Sequence, residues 1–278
     1  MKYTNILFAF LFIAGFTACD EKEVTIPEFQ VEDTGRKVLI EEITGVQCPN
    51  CPAGAATIEG FKQAFPGRIV SVAYHSYFLA SPLADSQYDF RSDEAQAFEE
   101  LIGVPTGKPS AAINRVQFSD QSRIWLGVID LWGAKLQEVL NEPSEMNLQI
   151  TNTFNSDTRE LNVDVRMTPL VSKTDNYALT VMILENNIID PQLDQATEIE
   201  EYEHDHIFHK LLSDNVSGDA FATTITEGID IVKSYDFTVP TMSEENKAPW
   251  IAENLEVVAF ITNDEGIVMQ AEKADVMQ

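Results

Sequence analysis

Thr44 to Gly54, "TGVQCPNCPAG", is the stretch that decides how the chain is read: Cys48 and Cys51 stand two residues apart, each followed by proline. Three chemistries use that spacing, namely a redox dithiol, half of a metal site, or a structural staple. Upstream, Val38-Leu39-Ile40 opens a buried-type apolar run that ends near Thr44 and reads as a strand. Downstream, Ala53 to Phe65 is alanine-rich, with Ile58, Phe61 and Phe65 at helical spacing, and Pro66-Gly67 stops it. The pair therefore lies where a strand ends and a helix starts. The free N–H groups and positive dipole end of such a helix favour thiolate over thiol. Cys48, one turn out, is the expected nucleophile; Cys51, in the first turn, is the expected resolving thiol. Pro52 suits that turn, because its missing N–H has no partner to lose there.

Outward from this stretch, the first residues read as a targeting segment. Lys2 supplies a positive n-region, and Ile6 to Phe16 is an apolar run too short to span a bilayer. Phe16-Thr17-Ala18-Cys19 resembles a bacterial lipobox, with Phe16 where leucine is usual. The expectation is a signal peptide over 1–18 and a lipidated Cys19; the other reading is an ordinary secretory signal with an incidental cysteine. Asp20-Glu21-Lys22-Glu23 resembles the acidic export tags of surface lipoproteins in Bacteroidetes-type bacteria. Either way the mature protein works outside the cytoplasm, where disulfides persist. With Cys19 carrying lipid, Cys48 and Cys51 have only each other. A tetrahedral zinc site needs about four ligands and there is no second CxxC, so the pair is a dithiol or a disulfide.

Charge narrows the partners. Against 45 acidic residues stand 18 basic ones, a formal −27, and such a field repels nucleic acid and anionic head groups. At 278 residues the prior is two domains. Residues 19–36 are polar and aperiodic and read as a tether. Residues 37–142 alternate strand and helix. Arg68 to Tyr74 is a second strand, Asp93 to Leu101 a helix, Ser110 to Val116 a third strand, and Trp125 and Trp132 mark one face of a helix reaching about Leu140. From 147 to 278 short alternating runs such as "NLQITNTF" and "ELNVDVRM" predict about seven strands in an antiparallel β-sandwich. Asn263-Asp264-Glu265-Gly266 between two such runs is a hairpin signal.

The CxxC at a strand-to-helix junction resembles the thioredoxin superfamily, and Gly107-Lys108-Pro109-Ser110 before a strand matches that superfamily's second signature. The resemblance implies a cis proline at Pro109, with Pro105 a weaker candidate. It also gives Glu42, six residues before Cys48, the role of a buried acid that moves the proton of the resolving cysteine. The other reading of Glu42 is a solvent-side strand residue. Gln47 replaces the tryptophan usual before the first cysteine, and Cys-Pro-Asn-Cys leaves the redox direction open. A staple closing so short a loop would constrain little of the unfolded chain, which favours a redox-capable pair.

A wider resemblance rests on "EEITGVQCPNCPAG", "GKPSAAINR", "EYEHDHIFHKLL" and "VVAFITNDEGIVMQA". These segments look like the twenty-eight-kilodalton group of outer-membrane lipoproteins, which combine a lipobox, a thioredoxin-like domain and a β-rich C-terminal domain. The expected fold is thus an α/β thioredoxin-like domain followed by an all-β antiparallel sandwich. The expected location is the outer membrane, lipid-anchored, with extracytoplasmic protein thiols or disulfides as partners. The expected activity is thiol–disulfide exchange through Cys48 and Cys51, with no cofactor beyond that pair. The rival is a surface binding or adhesion lipoprotein on the same scaffold. A weaker metal candidate is the trio His204, His206 and His209, at spacings of two and three, preceded by the acidic stretch Asp190 to Glu203. An exposed link between strands explains that cluster equally well. There is no Gly-rich phosphate loop, Gly-x-Ser-x-Gly or zincin motif.

Overall fold

The computed structural model describes residues 35–242 and 248–277; the expected signal peptide, Cys19 and all but the last residues of the tether lie outside them. The run around Val38 forms strand β1 (Val38–Ile43), buried at every position. A strand so uniformly buried is covered on both faces. Helix α1 (Cys51–Ala64) follows with Pro52 in its first turn, and strand β2 (Ile69–Tyr74) returns parallel to β1. Helix α2 (Asp93–Ile102) starts where the Ser92 hydroxyl accepts from the Ala95 N–H at 3.0 Å. Asp93 and Glu94 in its first turn complement the dipole. Strand β3 (Ser110–Ile113) pairs antiparallel with the other edge of β1. Helix α3 (Ile129–Leu140) carries Trp132, but Trp125 lies before it, bridged to β3 through Leu126.

Ten further strands follow among the described residues: β4 (Met146–Asn155), β5 (Glu160–Pro169), β6 (Lys173–Glu185), β7 (Ile188–Asp194), β8 (Thr197–His204), β9 (Ile207–Leu211), β10 (Asp219–Ile225), β11 (Ile231–Thr238), β12 (Leu255–Thr262) and β13 (Val268–Asp275). The predicted hairpin joins β12 to β13, with Gly266 at φ 76° and the Asn263 carboxamide oxygen accepting from the Glu265 and Ile267 N–H groups.

The large sheet runs β13-β12-β6-β9-β2-β1-β3, with β10 paired to β6. Its junction is β2 to β9, a parallel contact in which the Ala73 N–H donates to the His206 carbonyl at 2.8 Å. This corrects the expected fold class. Among the described residues there is no α/β thioredoxin-like domain followed by a separate sandwich: strands hold 42% of those residues and helices 16%, and strands of the second half continue the sheet begun by β1, β2 and β3. The change of texture near Asn141 is a change in local period, and the sheet runs across it.

Three cores follow. α1 and α3 cover one face of β1 and β3 through Ile58, Phe61, Trp132 and Leu136. α2 covers the opposite face with Phe98 and Ile102, against Tyr74, Phe208 and Phe260. A second sheet, β11-β5-β4, lies over β6 and β12, burying Leu161, Val163, Val165 and Met167 against Leu179, Val181 and Val257. Each such side chain contributes roughly 1.5–3 kcal/mol on full burial. β7 and β8 form a separate two-stranded hairpin, and this hairpin positions the site.

Candidate functional site

Cys48 and Cys51 form a disulfide, with Cα atoms 5.4 Å apart. Cys48 is 0% exposed and Cys51 2%. The cover is the β7–β8 hairpin. The Leu193 N–H donates to the Val46 carbonyl at 2.9 Å, and the Gln195 N–H to the Pro49 carbonyl at 2.8 Å. The Gln192 side-chain amide donates to the Gly45 and Cys48 carbonyls, and that of Gln195 to the Pro49 carbonyl and the Asn50 carboxamide oxygen. The loop between β1 and α1 is thus held by main-chain and side-chain hydrogen bonds from a hairpin far downstream in sequence. Sequence reading missed this role. The hairpin's acidic composition suggested solvent exposure, yet Asp190 and Gln192 are buried, and Asp190 accepts from the Gln87 N–H at 2.7 Å.

Beneath the first turn of α1 lies Glu42, only 4% exposed, and so not a solvent-side strand residue. Its Oε1 has no hydrogen-bond partner. Burial raises the carboxyl to about 8, against a pull from the Lys108 ammonium. Lys108 is itself lowered to about 8 by burial, with Glu99 and Glu42 acting oppositely. Its ammonium donates to the Thr44 carbonyl at 2.7 Å and the Ser76 carbonyl at 2.8 Å. The peptide bond between Lys108 and Pro109 is cis. Pro109 and Glu42 meet at Gly54: a Cβ there would lie 2.5 Å from Glu42 Oε1 and 3.1 Å from Pro109 Cβ. Only glycine lets the helix approach so closely. Four of the residues singled out in the sequence, Glu42, Cys48, Cys51 and Pro109, are therefore brought together.

The three histidines are not. The His204 ring is hydrogen-bonded to the Asp190 carbonyl at 3.1 Å and, through burial, lowered to about 4. His206 sits between Glu256, 2.9 Å from Nδ1, and Glu59, 3.2 Å from Nε2. Burial alone would lower it, but these carboxylates prevail and raise it. His209 meets Glu185 at 2.7 Å. Each imidazole serves a different partner, and among the described residues no cluster with metal-ligand geometry occurs.

Beside the disulfide, between α1, β2 and the hairpin, is a cavity of about 260 Å³. Glu42, Cys51, Ser71, His75 and Gln192 form its buried part, and Glu59, Glu203 and Asp205 its more exposed part. Burial lowers His75 well below the usual imidazole range, and His204 and Lys108 add to the effect.

The site therefore defines a class: a β-rich protein carrying a covered CxxC disulfide beside a small polar-floored cavity. Residues 95–278 match the family model of the outer membrane protein Omp28, which is more than half the chain. The chain belongs to that family, and its location is the outer membrane. The matched segment contains Lys108, Pro109 and the hairpin but begins after Glu42, Cys48 and Cys51. Among solved structures, HBP35 of Porphyromonas gingivalis is similar with a TM-score of 0.65 at 17% identity, covering 87% of this chain and 75% of that one; the likeness is one of fold. An Agrobacterium tumefaciens protein is similar at 12% identity with a TM-score of 0.48, over 87% of this chain and 96% of its own. No curated protein matches in sequence. Among the described residues no helix is long and apolar enough to cross a membrane.

Proposed function

We propose that the chain is a lipid-anchored outer-membrane protein whose Cys48–Cys51 pair exchanges with thiols or disulfides of extracytoplasmic proteins. Residues 1–18 act as its signal peptide and Cys19 as the lipid attachment. The observation that carries the exchange reading is the buried Glu42, with a carboxyl near 8, beneath the turn that holds Cys51. A group that titrates near neutral pH is suited to moving a proton at the resolving cysteine.

In the reducing direction the Cys48 thiolate attacks one sulfur of a substrate disulfide. A bond forms between Cys48 and that sulfur, and the other substrate sulfur leaves as thiolate. Cys51 then gives its proton to the Glu42 carboxylate and attacks Cys48 Sγ. The bond to substrate breaks, the second substrate sulfur leaves as thiolate, and the Cys48–Cys51 disulfide is restored. Two electrons have passed from the pair to the substrate. Run backwards, the same steps place a disulfide in a substrate dithiol. Because both sulfurs are covered, exchange requires the hairpin to release Val46 to Asn50.

The rival reading, a binding lipoprotein that keeps an inert disulfide, draws on that same burial. One experiment separates them: equilibration of the native protein with dithiothreitol, with reduction followed by alkylation and mass spectrometry. Reduction at a defined potential while the fold persists supports exchange, and Cys51→Ser should then accumulate a mixed disulfide with a cysteine-peptide disulfide probe. A pair that opens only when the protein unfolds refutes the exchange reading.

A further inference from the structure

Unpaired buried polar atoms are rare because each gives up its hydrogen bonds to water without replacement. Among the described residues eleven buried side-chain atoms lack a partner, and four of them belong to residues lining the cavity beside Cys51. These are Glu42 Oε1, Ser71 Oγ and both nitrogens of His75. The three residues are 4%, 4% and 2% exposed, and they come from β1, β2 and the turn after β2. Such a concentration at one cavity is the signature of a group that the cavity receives.

The charge of that group follows from the lining. Four carboxyl residues, Glu42, Glu59, Glu203 and Asp205, line the cavity, and neither lysine nor arginine does. His75 and His204 are held neutral by burial, and His206 is engaged by Glu59 and Glu256. The cation of the lining, His206, is already paired by Glu59 and Glu256, with Lys62 2.6 Å from its Nε2; Glu203 and Asp205 at the mouth and Glu42 at the floor are left to favour a cation over an anion. The shape follows from the orphan atoms. Glu42 Oε1, the Ser71 hydroxyl oxygen and one nitrogen of neutral His75 are acceptors, and an ammonium offers three donors and no acceptor. Ala55, Ile58, Val72 and Ile207 add apolar walls that suit a methylene stem.

We propose that this cavity binds a primary aliphatic ammonium on a short methylene stem, the chemistry shared by a lysine side chain and a free alkylamine. The proposal is independent of thiol exchange, since the cavity is formed with the cysteines oxidised.

The test is titration of the whole oxidised protein with n-butylamine, followed by calorimetry and by amide chemical shifts. Nα-acetyl-lysine methylamide is the second arm, with n-butanol and butyrate as comparators. The expected result is saturable one-to-one binding of the amine, with shifts confined to residues around Ala55, Ser71 and Ile207. Neither comparator should saturate. Ser71→Ala removes one neutral acceptor and should weaken binding about fivefold. Glu42→Gln removes the charge that the carboxyl takes on above about pH 8, so it should weaken binding about tenfold at pH 9, where the amine is still an ammonium, and less at pH 6. Binding by both arms assigns the site to lysine side chains as well as free amines; binding by butylamine alone assigns it to free amines. The proposal is overturned if butanol binds as tightly as butylamine, if no amine saturates because the cavity holds solvent only, or if the shifts map elsewhere. The shift map is read on the unmutated protein, so it remains decisive even where a variant fails to fold.

Discussion

Replacing Glu42 with glutamine should make the protein more stable and, if the pair exchanges, slower. The carboxyl titrates at about 8 in the fold and near 4.5 when unfolded, because burial disfavours the anion. Between those values the folded state binds more protons than the unfolded state, so stability falls as pH rises from 4.5 to 8. At pH 7 the difference is about 2.5 pK units, and at about 1.4 kcal/mol per unit this is roughly 3 kcal/mol of lost stability. Glutamine has nearly the shape of the protonated acid and no charge to bury. Glu42→Gln should therefore gain about 3 kcal/mol at pH 7 and almost nothing at pH 4. Keeping the measurements at or below pH 7 leaves Lys108, which titrates at about 8, protonated throughout. The assay is urea denaturation of both proteins at several pH values, with the disulfide intact. The histidines contribute to each curve alike, so the difference isolates Glu42. A difference that stays flat with pH would refute the argument, because it would mean that water reaches the carboxyl and leaves it an ordinary acid. Exchange with dithiothreitol should slow in the variant, since the proton acceptor at Cys51 is gone.

Three further outcomes are expected. Glu41, 0% exposed, accepts two bonds at 2.7 Å from buried Arg115 and one from the Tyr74 hydroxyl at 3.0 Å; Glu41→Gln strands the guanidinium and should cost about 3–5 kcal/mol in denaturant titrations. Glu256 is held at about 2, the ion pairs with His206 and Lys273 overcoming burial. A depressed carboxyl stabilises above its unfolded value and loses that contribution as pH falls from about 4.5 toward 2, so Glu256→Gln should remove about 3 kcal/mol at pH 6 and far less at pH 2 by the same denaturation assay. Cys19→Ala should shift the processed protein from membrane to soluble fractions, and unchanged membrane retention would exclude lipidation at that residue.

Local elements were legible because local chemistry determines them. Pro52 and the spacing of Ile58 and Phe61 mark α1, Asp93 marks the start of α2, and Asn263 to Gly266 marks the last hairpin. The sheet was not legible, because its junction is a single registered pair, Ala73 with Ile207, contributed by distant segments that carry no shared pattern. The strand–helix alternation of the first half therefore suggested a self-contained α/β unit. Trp125 and Trp132 share a heptad spacing, yet Trp125 instead donates its indole N–H to the Gly103 carbonyl from an irregular segment. At the site, Cys48 and Cys51 were singled out by motif, and Pro109 and Glu42 by resemblance. Ser71, His75 and Gln192 were missed because their place depends on which elements cover them. The only signal for the hairpin's role was the weak alternation of Ile188, Asp190 and Gln192, whose polar members face inward.

The join between β2 and β9 also sets an order of assembly. A chain emerging from its N-terminus can form β1, α1, β2, α2 and β3 early, but the outer edge of β2 has no neighbour until Ile207 arrives. Until then the main-chain groups around Ala73 are open to pairing with any other extended segment, including another nascent copy. Closing it requires contacts between remote positions, which is the slow part of folding. The two ends are also tied: the Arg36 guanidinium, two residues before β1, donates to the Val268 carbonyl of the last strand at 3.1 Å. A fragment ending near Leu140 would accordingly be an adhesive intermediate, and the segment from β9 onward acts as the closure that makes the first three strands safe in solution.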